Sequence, residues 1–187
     1  MIRTSLLAVA AFGVLALPMT ASADEGADPA LTAFQAVCVA NANNYSGALD
    51  AAKAAGFTDT QLIPPTDDSF TVTSTQAREK QVGTEHLTLL VQQGLRHLKS
   101  RDIPEADCKI STDQADSEIR QRTKSWLGFA PDISDDSLST FYVKTGPQPV
   151  HIAQSDLNAA LAAGSLSFIK AQEDPSSATL VYTTFSK

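Results

Sequence analysis

The chain contains two cysteines, Cys38 and Cys108, so only one intramolecular disulfide can form. An even number of cysteines is typical of exported proteins, in which thiols are oxidised. The chain has no Cys-x-x-Cys arrangement, the spacing that commonly makes a cysteine pair redox-active. We therefore predict a structural bridge between Cys38 and Cys108, which ties together two segments that are far apart in the sequence.

Histidine and serine are the next candidates for chemistry. The three histidines are His86, His97 and His151. The chain has no His-Glu-x-x-His sequence, no Cys/His spacing typical of zinc sites and no Gly-x-Ser-x-Gly sequence, so we predict no metal site, no cofactor and no catalytic residue. A Ser–His–Asp triad is defined by geometry rather than by sequence spacing. A small secreted hydrolase, in which His97 or His151 meets a serine and an acid, is therefore an alternative.

Paired carboxylates occur at Asp67-Asp68 and at Asp135-Asp136. Such pairs can bind calcium or act as acid and base. Neither pair has EF-hand spacing, so we expect them to be solvated side chains in loops.

Three aromatic residues are candidates for a ligand pocket: Trp126, Phe141 and Tyr142. Trp126 is the only tryptophan, and its position near a predicted helix end is also typical of a core anchor. Phe141 and Tyr142 are neighbours in a predicted strand, so their side chains must point to opposite faces of a sheet. A carrier of a small apolar ligand, bound under the sheet, is the second alternative function.

Residues Met1–Ala23 are predicted to be a cleaved secretory signal peptide. Arg3 supplies the positive end, Leu6–Leu17 is an apolar run too short to span a bilayer comfortably, and Ala21-Ser22-Ala23 is a small-x-small cleavage site. We therefore expect residues 24–187 to form a single periplasmic or secreted domain, with no membrane anchor after cleavage.

Two short helices are predicted next. Asp28 can cap the first helix and Pro29 suits its first position. Four residues recur at spacings of three and four and therefore share one helix face: Leu31, Phe34, Val37 and Cys38. The second helix is predicted over Ser46–Ala55, where Gly56 can end it.

The middle of the chain is predicted to be mostly extended. Pro64-Pro65 marks a surface connection. Alternating residues predict a strand over Phe70–Thr75, followed by a charged turn or an exposed hairpin loop over Gln76–Thr84. The next segment favours a strand over Glu85–Gln92, with a helix over Glu85–Lys99 as the alternative, because its leucines fit both periodicities.

The remaining elements are predicted from periodicity and from capping residues. They are a strand over Asp107–Thr112, a helix over Gln114–Leu127 capped by Asp113, a strand over Leu138–Lys144, a helix from Ser155 to Ala163, and a hairpin of Leu166–Gln172 with Thr179–Phe185. Helices and strands do not alternate regularly, which favours the α+β class. We expect N-terminal helices packed on a mainly antiparallel sheet, with one disulfide.

The charge of the chain restricts its partners. The formal net charge is −7, and an acidic surface repels nucleic acid backbones. With export, a bridged domain and no recognisable reactive cluster, the sequence favours a soluble, non-catalytic protein of the bacterial cell envelope. We expect it to act by binding, for example to another envelope protein as an accessory factor or inhibitor.

Overall fold

The computed structural model describes residues 28–62, 67–99 and 101–187. The predicted signal peptide at 1–23 and the Pro64-Pro65 connection lie outside the described residues. Within them, no helix combines the length and the apolar character needed to cross a bilayer.

The strands form one antiparallel sheet, in the order β1-β2-β3-β4-β9-β8-β6-β5, with β7 also paired to β6. The long meander β2-β3-β4 is followed by β9 and β8 rather than by the next strands in sequence. The bounds are β1 Thr58–Thr60, β2 Phe70–Val82, β3 Glu85–His97, β4 Asp102–Thr112, β5 Ile133–Ser134, β6 Leu138–Lys144, β7 Val150–His151, β8 Leu166–Asp174 and β9 Ser177–Phe185.

Within the described ranges, four short α-helices accompany the sheet. They are α1 Pro29–Phe34, which continues into a π-helical turn at Gln35–Val39, α2 Tyr45–Ala54, α3 Ile119–Leu127, and α4 Leu157–Ala163, which follows a 3₁₀ turn at Gln154–Asp156. Asp28 caps α1 as expected, because its Oδ1 accepts a hydrogen bond from the backbone N–H of Leu31 at 2.9 Å. A mainly antiparallel sheet with short helices and one disulfide agrees with the predicted class.

The predicted turn over Gln76–Thr84 was wrong, because β2 continues through most of it. The chain turns only at Gly83-Thr84, between β2 and β3. The charged side chains of this stretch misled the prediction, since they lie near the sheet edge where solvent reaches them. The adjacent segment is a strand and not a helix, and its alternate residues Leu87, Leu89 and Val91 are all buried on one face.

Two predicted helix starts were also wrong. The helix expected from Gln114 begins at Ile119. Asp113 does not cap it, because its carboxylate accepts a hydrogen bond from the backbone N–H of His86 and so holds the start of β3. Ser155 lies in the 3₁₀ turn before α4, and its hydroxyl donates to Asp156 instead of capping the helix.

The main core lies on the sheet face that carries Leu89, which we call the first face. Buried side chains of α1, the π turn and α2, including Phe34, belong to the same apolar cluster as Leu89, Ile110 and Leu180. The predicted disulfide is present, and Cys38 in the π turn is bonded to Cys108 in β4. Both cysteines are buried.

The opposite, second face is covered only in part. There α4 packs on a smaller cluster formed by Ile103, Leu166 and Phe185. The central part of this face carries charged and hydroxyl side chains from β3, β4, β8 and β9. The second face therefore carries polar side chains next to the apolar cluster that α4 covers.

Gly94 shapes this face. It lies opposite Glu105 in the β3–β4 pairing, and a Cβ at this position would come within 2.2 Å of the Thr71 carbonyl oxygen and 2.8 Å of the Phe70 ring. Only a residue without a side chain permits so close an approach. The ring of Phe70 occupies the freed space.

Candidate functional site

A groove of about 380 Å³ lies on the second face, between the sheet and α4. We call it the aromatic groove. Its apolar lining consists of Leu98, Ile103, Leu161, Leu166, Phe168 and Phe185. Its polar lining consists of Asp67, Arg96, Glu105, Lys170 and Thr183. The lining residues come from separate parts of the sequence, so the groove exists only in the folded chain.

The β8–β9 hairpin supplies the aromatic wall. Phe168 pairs with Thr183 across the two strands, and residues two apart share a face, so Phe168, Lys170, Thr183 and Phe185 point to the same side. The rings of Phe168 and Phe185 are 5.1 Å apart, and Tyr142 extends the row with its ring 5.2 Å from Phe168. The alternation of side chains along the two strands therefore places the rings of Phe168 and Phe185 on the same face as Lys170.

A network of three charged residues forms one end of the groove. Arg96 donates to both carboxylate oxygens of Glu105, from Nε at 2.8 Å and from Nη2 at 2.6 Å. Its Nη1 donates to Asp67 at 2.6 Å. The side chain of Glu105 is only 2% exposed, whereas that of Asp67 is 47% exposed. The guanidinium also lies 5.0 Å over the ring of Phe70.

These contacts favour the charged forms of Asp67 and Arg96. Hydrogen bonds from Ser69 and Arg96 lower the pKa of Asp67 to about 2. The hydrogen bonds with Glu105, and then those with Asp67, raise the pKa of Arg96. The bidentate geometry fixes the guanidinium plane, so this end of the groove is pre-organised.

Asp107 and Lys170 lie near the middle of the second face. The hydroxyl of Thr183 donates to Asp107 at 2.6 Å. Burial raises the pKa of Asp107, although Thr183 and the charge of Lys170 oppose the shift. Among the described residues, Lys170 forms no ion pair. It is therefore the one charged lining residue whose head group is not bound to another.

Replacing Asp107 with asparagine is expected to raise the free energy of unfolding at neutral pH, because burial disfavours the charged carboxylate. Asparagine keeps the oxygen that accepts from Thr183 but carries no charge to bury. The raised pKa belongs to the folded state, so the wild-type protein loses stability as pH rises through it. The two proteins should therefore converge as pH falls below the ordinary value of 3.8.

Urea unfolding of the wild type and of Asp107→Asn between pH 3.5 and 8 measures this difference. Asp136→Asn, at an exposed position, is the control and should show no comparable gain. If Asp107→Asn were less stable than the wild type at pH 7, burial would not be the main influence on the pKa of Asp107.

Two further cavities lie outside the aromatic groove. One, of about 560 Å³, lies beside the disulfide on the first face and is lined largely by uncharged groups, including Asn43, Tyr45 and Gln93. The other, of about 350 Å³, is lined by Asp28, Glu85, Asp116 and Arg122 among others. Within the described residues, no group of three or more His, Cys, Asp or Glu side chains could hold a metal ion.

His97 is the one histidine placed between a hydroxyl and a carboxylate. Its Nε2 is 2.7 Å from Thr71 Oγ1 and its Nδ1 is 2.8 Å from Asp102 Oδ1. Asp102 is simply its cross-strand partner in the β3–β4 pairing. All three residues are exposed and line none of the three cavities described above. His97 therefore lies outside the cavities described here.

The other two histidines make simpler contacts. His151 pairs with Asp132 at 2.9 Å and lies against the ring of Phe129. His86 is 3.4 Å from Glu79. No hydroxyl group is hydrogen-bonded to either imidazole among the described residues, so neither forms a triad.

The three aromatic residues predicted to line a pocket are divided between the two faces. Phe141 is fully buried in the first-face core, edge-on to Phe129. Trp126 packs edge-on against Phe34 in the same core. Tyr142 lies on the second face beside Phe168. None of the three lines a described cavity, and only Tyr142 adjoins the aromatic groove.

The sequence reasoning missed Arg96, Glu105, Phe168 and Lys170. A usable signal was present in the β8–β9 hairpin, where strand alternation predicts that Phe168 and Lys170 share a face. Asp67, expected to be solvated in a loop, is exposed to solvent and also accepts a hydrogen bond from Arg96, which the sequence did not indicate. Comparisons with models of protein families, with curated proteins and with solved structures found no match to this chain. Its geometry defines a disulfide-bonded α+β protein with a pre-formed, amphipathic groove.

Proposed function

We propose that this chain is an exported, non-catalytic binding protein of the bacterial cell envelope, and that it carries a small molecule with an apolar part in the aromatic groove. One observation supports the proposal above all others: the aromatic rings and the hydrogen-bonded ion pairs line the same concave groove. Ligand sites are typically apolar clefts in which a few polar groups are precisely placed.

The size and rigidity of the groove support a small ligand. Its volume of about 380 Å³ falls in the range of roughly 300–1,000 Å³ that is usual for small-molecule sites. Asp67, Arg96 and Glu105 are hydrogen-bonded to one another, so binding would require little reordering of these side chains. Pre-organisation of this kind lowers the entropic cost of binding.

The rest of the fold supports export and stability. A disulfide is typical of proteins that function outside the cytoplasm, in line with a periplasmic or secreted location. We propose that α1 and α2, packed on the first face, brace the sheet so that the second face keeps its shape. A carrier must also release its ligand, and we propose that another envelope protein is the recipient.

Titration with the uncharged fluorescent dye Nile red tests the proposal. We expect saturable binding to the wild type and an affinity at least tenfold lower in Leu161→Glu, because this substitution places a charge in the apolar wall. Ala162→Glu, at an exposed position of the same helix, is the matched control and should bind like the wild type. Both variants are first compared with the wild type by circular dichroism and thermal unfolding.

Two outcomes would contradict the proposal. One is the absence of saturable dye binding by the wild type. The other is an equal loss of binding in Leu161→Glu and Ala162→Glu, since dye would then be sensing the surface charge rather than the groove.

A further inference from the structure

The charged residues that line the aromatic groove differ in whether they are paired with one another. Arg96 uses its guanidinium to bind Glu105 and Asp67, and both carboxylates are engaged by it in return. Breaking this set would leave Glu105 buried without a partner, which is costly. The three residues therefore act as a fixed end of the groove and are not free to bind the charge of a ligand.

Lys170 differs from these residues. It is half-buried beside Phe168 on β8 and lines the groove, yet it forms no ion pair with any residue of the described ranges. Its stem can lie along the apolar surface while the ammonium group reaches the polar part of the face. A flexible ammonium in this position can move to meet an anion.

The other titratable groups on this part of the face are Asp107 and Lys109. Asp107 does not line the groove, and its carboxylate accepts from Thr183. Lys109 and Lys170 are both cross-strand partners of Val181, so they lie on the same face of the sheet with one strand between them. Asp107 is already hydrogen-bonded and lies outside the groove lining, so the lining charge left for a ligand is the cation of Lys170, and this favours an anion at the polar end of a ligand.

We infer that the aromatic groove selects an alkyl carboxylate, an amphipathic molecule whose single anionic group pairs with the ammonium of Lys170 while its apolar chain packs against Phe168 and Phe185. The inference rests on the proposed function and adds the chemical class of the ligand. The binding is reversible and non-covalent. The ligand carboxylate exchanges water for a charge-assisted hydrogen bond from Lys170. Contact with the aromatic rings removes the apolar chain of the ligand from water.

The experiment compares three ligands of equal chain length by isothermal titration calorimetry: decanoate, 1-decanol and decyltrimethylammonium. All are used below the concentrations at which they form micelles or separate. We expect the wild type to bind decanoate at least tenfold more tightly than decanol, and decyltrimethylammonium most weakly. This order follows because only decanoate can pair with Lys170.

Substitution of Lys170 provides the decisive arm. Lys170→Met keeps the length of the side chain and removes its charge, so decanoate affinity should fall at least tenfold while decanol affinity stays within twofold. Lys170→Arg should retain the preference for decanoate. Lys53→Met, at an exposed position on α2, is the control and should change neither affinity. Lys170→Gln serves as a second neutral variant if the methionine variant folds poorly.

The possible failures are distinguishable. If decanoate and decanol bind equally, or if Lys170→Met affects both equally, the inference is wrong and the proposed carrier function stands. Preferential binding of decyltrimethylammonium would show that a carboxylate rather than Lys170 binds the polar end of the ligand, and it would also overturn the inference. If none of the three ligands binds, and Nile red does not bind either, the proposed function itself fails.

Discussion

Removal of the Cys38–Cys108 bridge is expected to lower the free energy of unfolding by about 4 kcal/mol, according to the loop-closure model. The bridge spans 70 residues of sequence, and without it the unfolded chain gains the freedom that this long loop had lost. The bridge joins the π turn after α1 to β4, next to Val91 and Tyr182 in the sheet pairing. The expected loss is a large part of the total stability of an ordinary domain.

The double variant Cys38→Ala/Cys108→Ala tests this expectation by urea unfolding, with the slope of the transition recorded as well as its midpoint. The wild type reduced with dithiothreitol provides a matched comparison that involves no mutation and should lose a similar amount. Single substitutions are avoided, since they leave one unpaired thiol. A loss below about 1 kcal/mol in both samples, with an unchanged slope, would show that the bridge adds little to a fold already held by its core.

Local elements were predicted best where sequence patterns and turn residues agree. The β8–β9 hairpin is an example, because two β-branched and aromatic runs flank a turn containing Pro175-Ser176. A strand over Glu85–Gln92 was favoured for a similar reason, since Leu87, Leu89 and Val91 alternate, and in the structure this strand continues to His97. Its C-terminal end was missed because Arg96 and His97 are polar. In the structure, Arg96 and His97 make contacts with charged partners that compensate for this polarity.

The order of strands could not be predicted from these local patterns. β4 pairs with β9, so Cys108 lies opposite Tyr182 although a long stretch of chain separates them. Alternation specifies which residues share a face but not which strand lies beside which. The disulfide prediction gave one long-range restraint, from the π turn to β4, and the sequence carried no comparable signal for the junction between β4 and β9.

The candidate site was missed for the same reason. Arg96 and Glu105 come together because β3 and β4 form a hairpin in which Gly94 lies opposite Glu105. A contact between an arginine and a glutamate nine residues apart cannot be predicted from the sequence unless the register of the hairpin is known. Once that register is known, the pair is expected, since Arg96 and Glu105 are diagonal neighbours on the same face of the two strands.

Arg96→Met is expected to lower the free energy of unfolding by about 3–5 kcal/mol, the usual cost of breaking a buried ion pair at one partner. The cause is Glu105, whose side chain is 2% exposed and whose carboxylate would be left without the two hydrogen bonds that now satisfy it. The double variant Arg96→Met/Glu105→Leu should recover most of this loss, because no charge then remains buried. Urea unfolding of both variants, with Glu105→Leu alone, completes a double-mutant cycle.

The Arg78–Asp59 pair is the matched control for this cycle. Arg78 Nε is 3.2 Å from an Asp59 carboxylate oxygen, but the Asp59 side chain is 85% exposed. Removal of Asp59 by substitution with asparagine should cost no more than about 1 kcal/mol, because solvent screens the pair. If Arg96→Met costs as little as this control, Glu105 finds water or another donor when Arg96 is lost. The fixed end of the aromatic groove would then not depend on Arg96, and the pre-organisation argued for ligand binding would lose its physical basis.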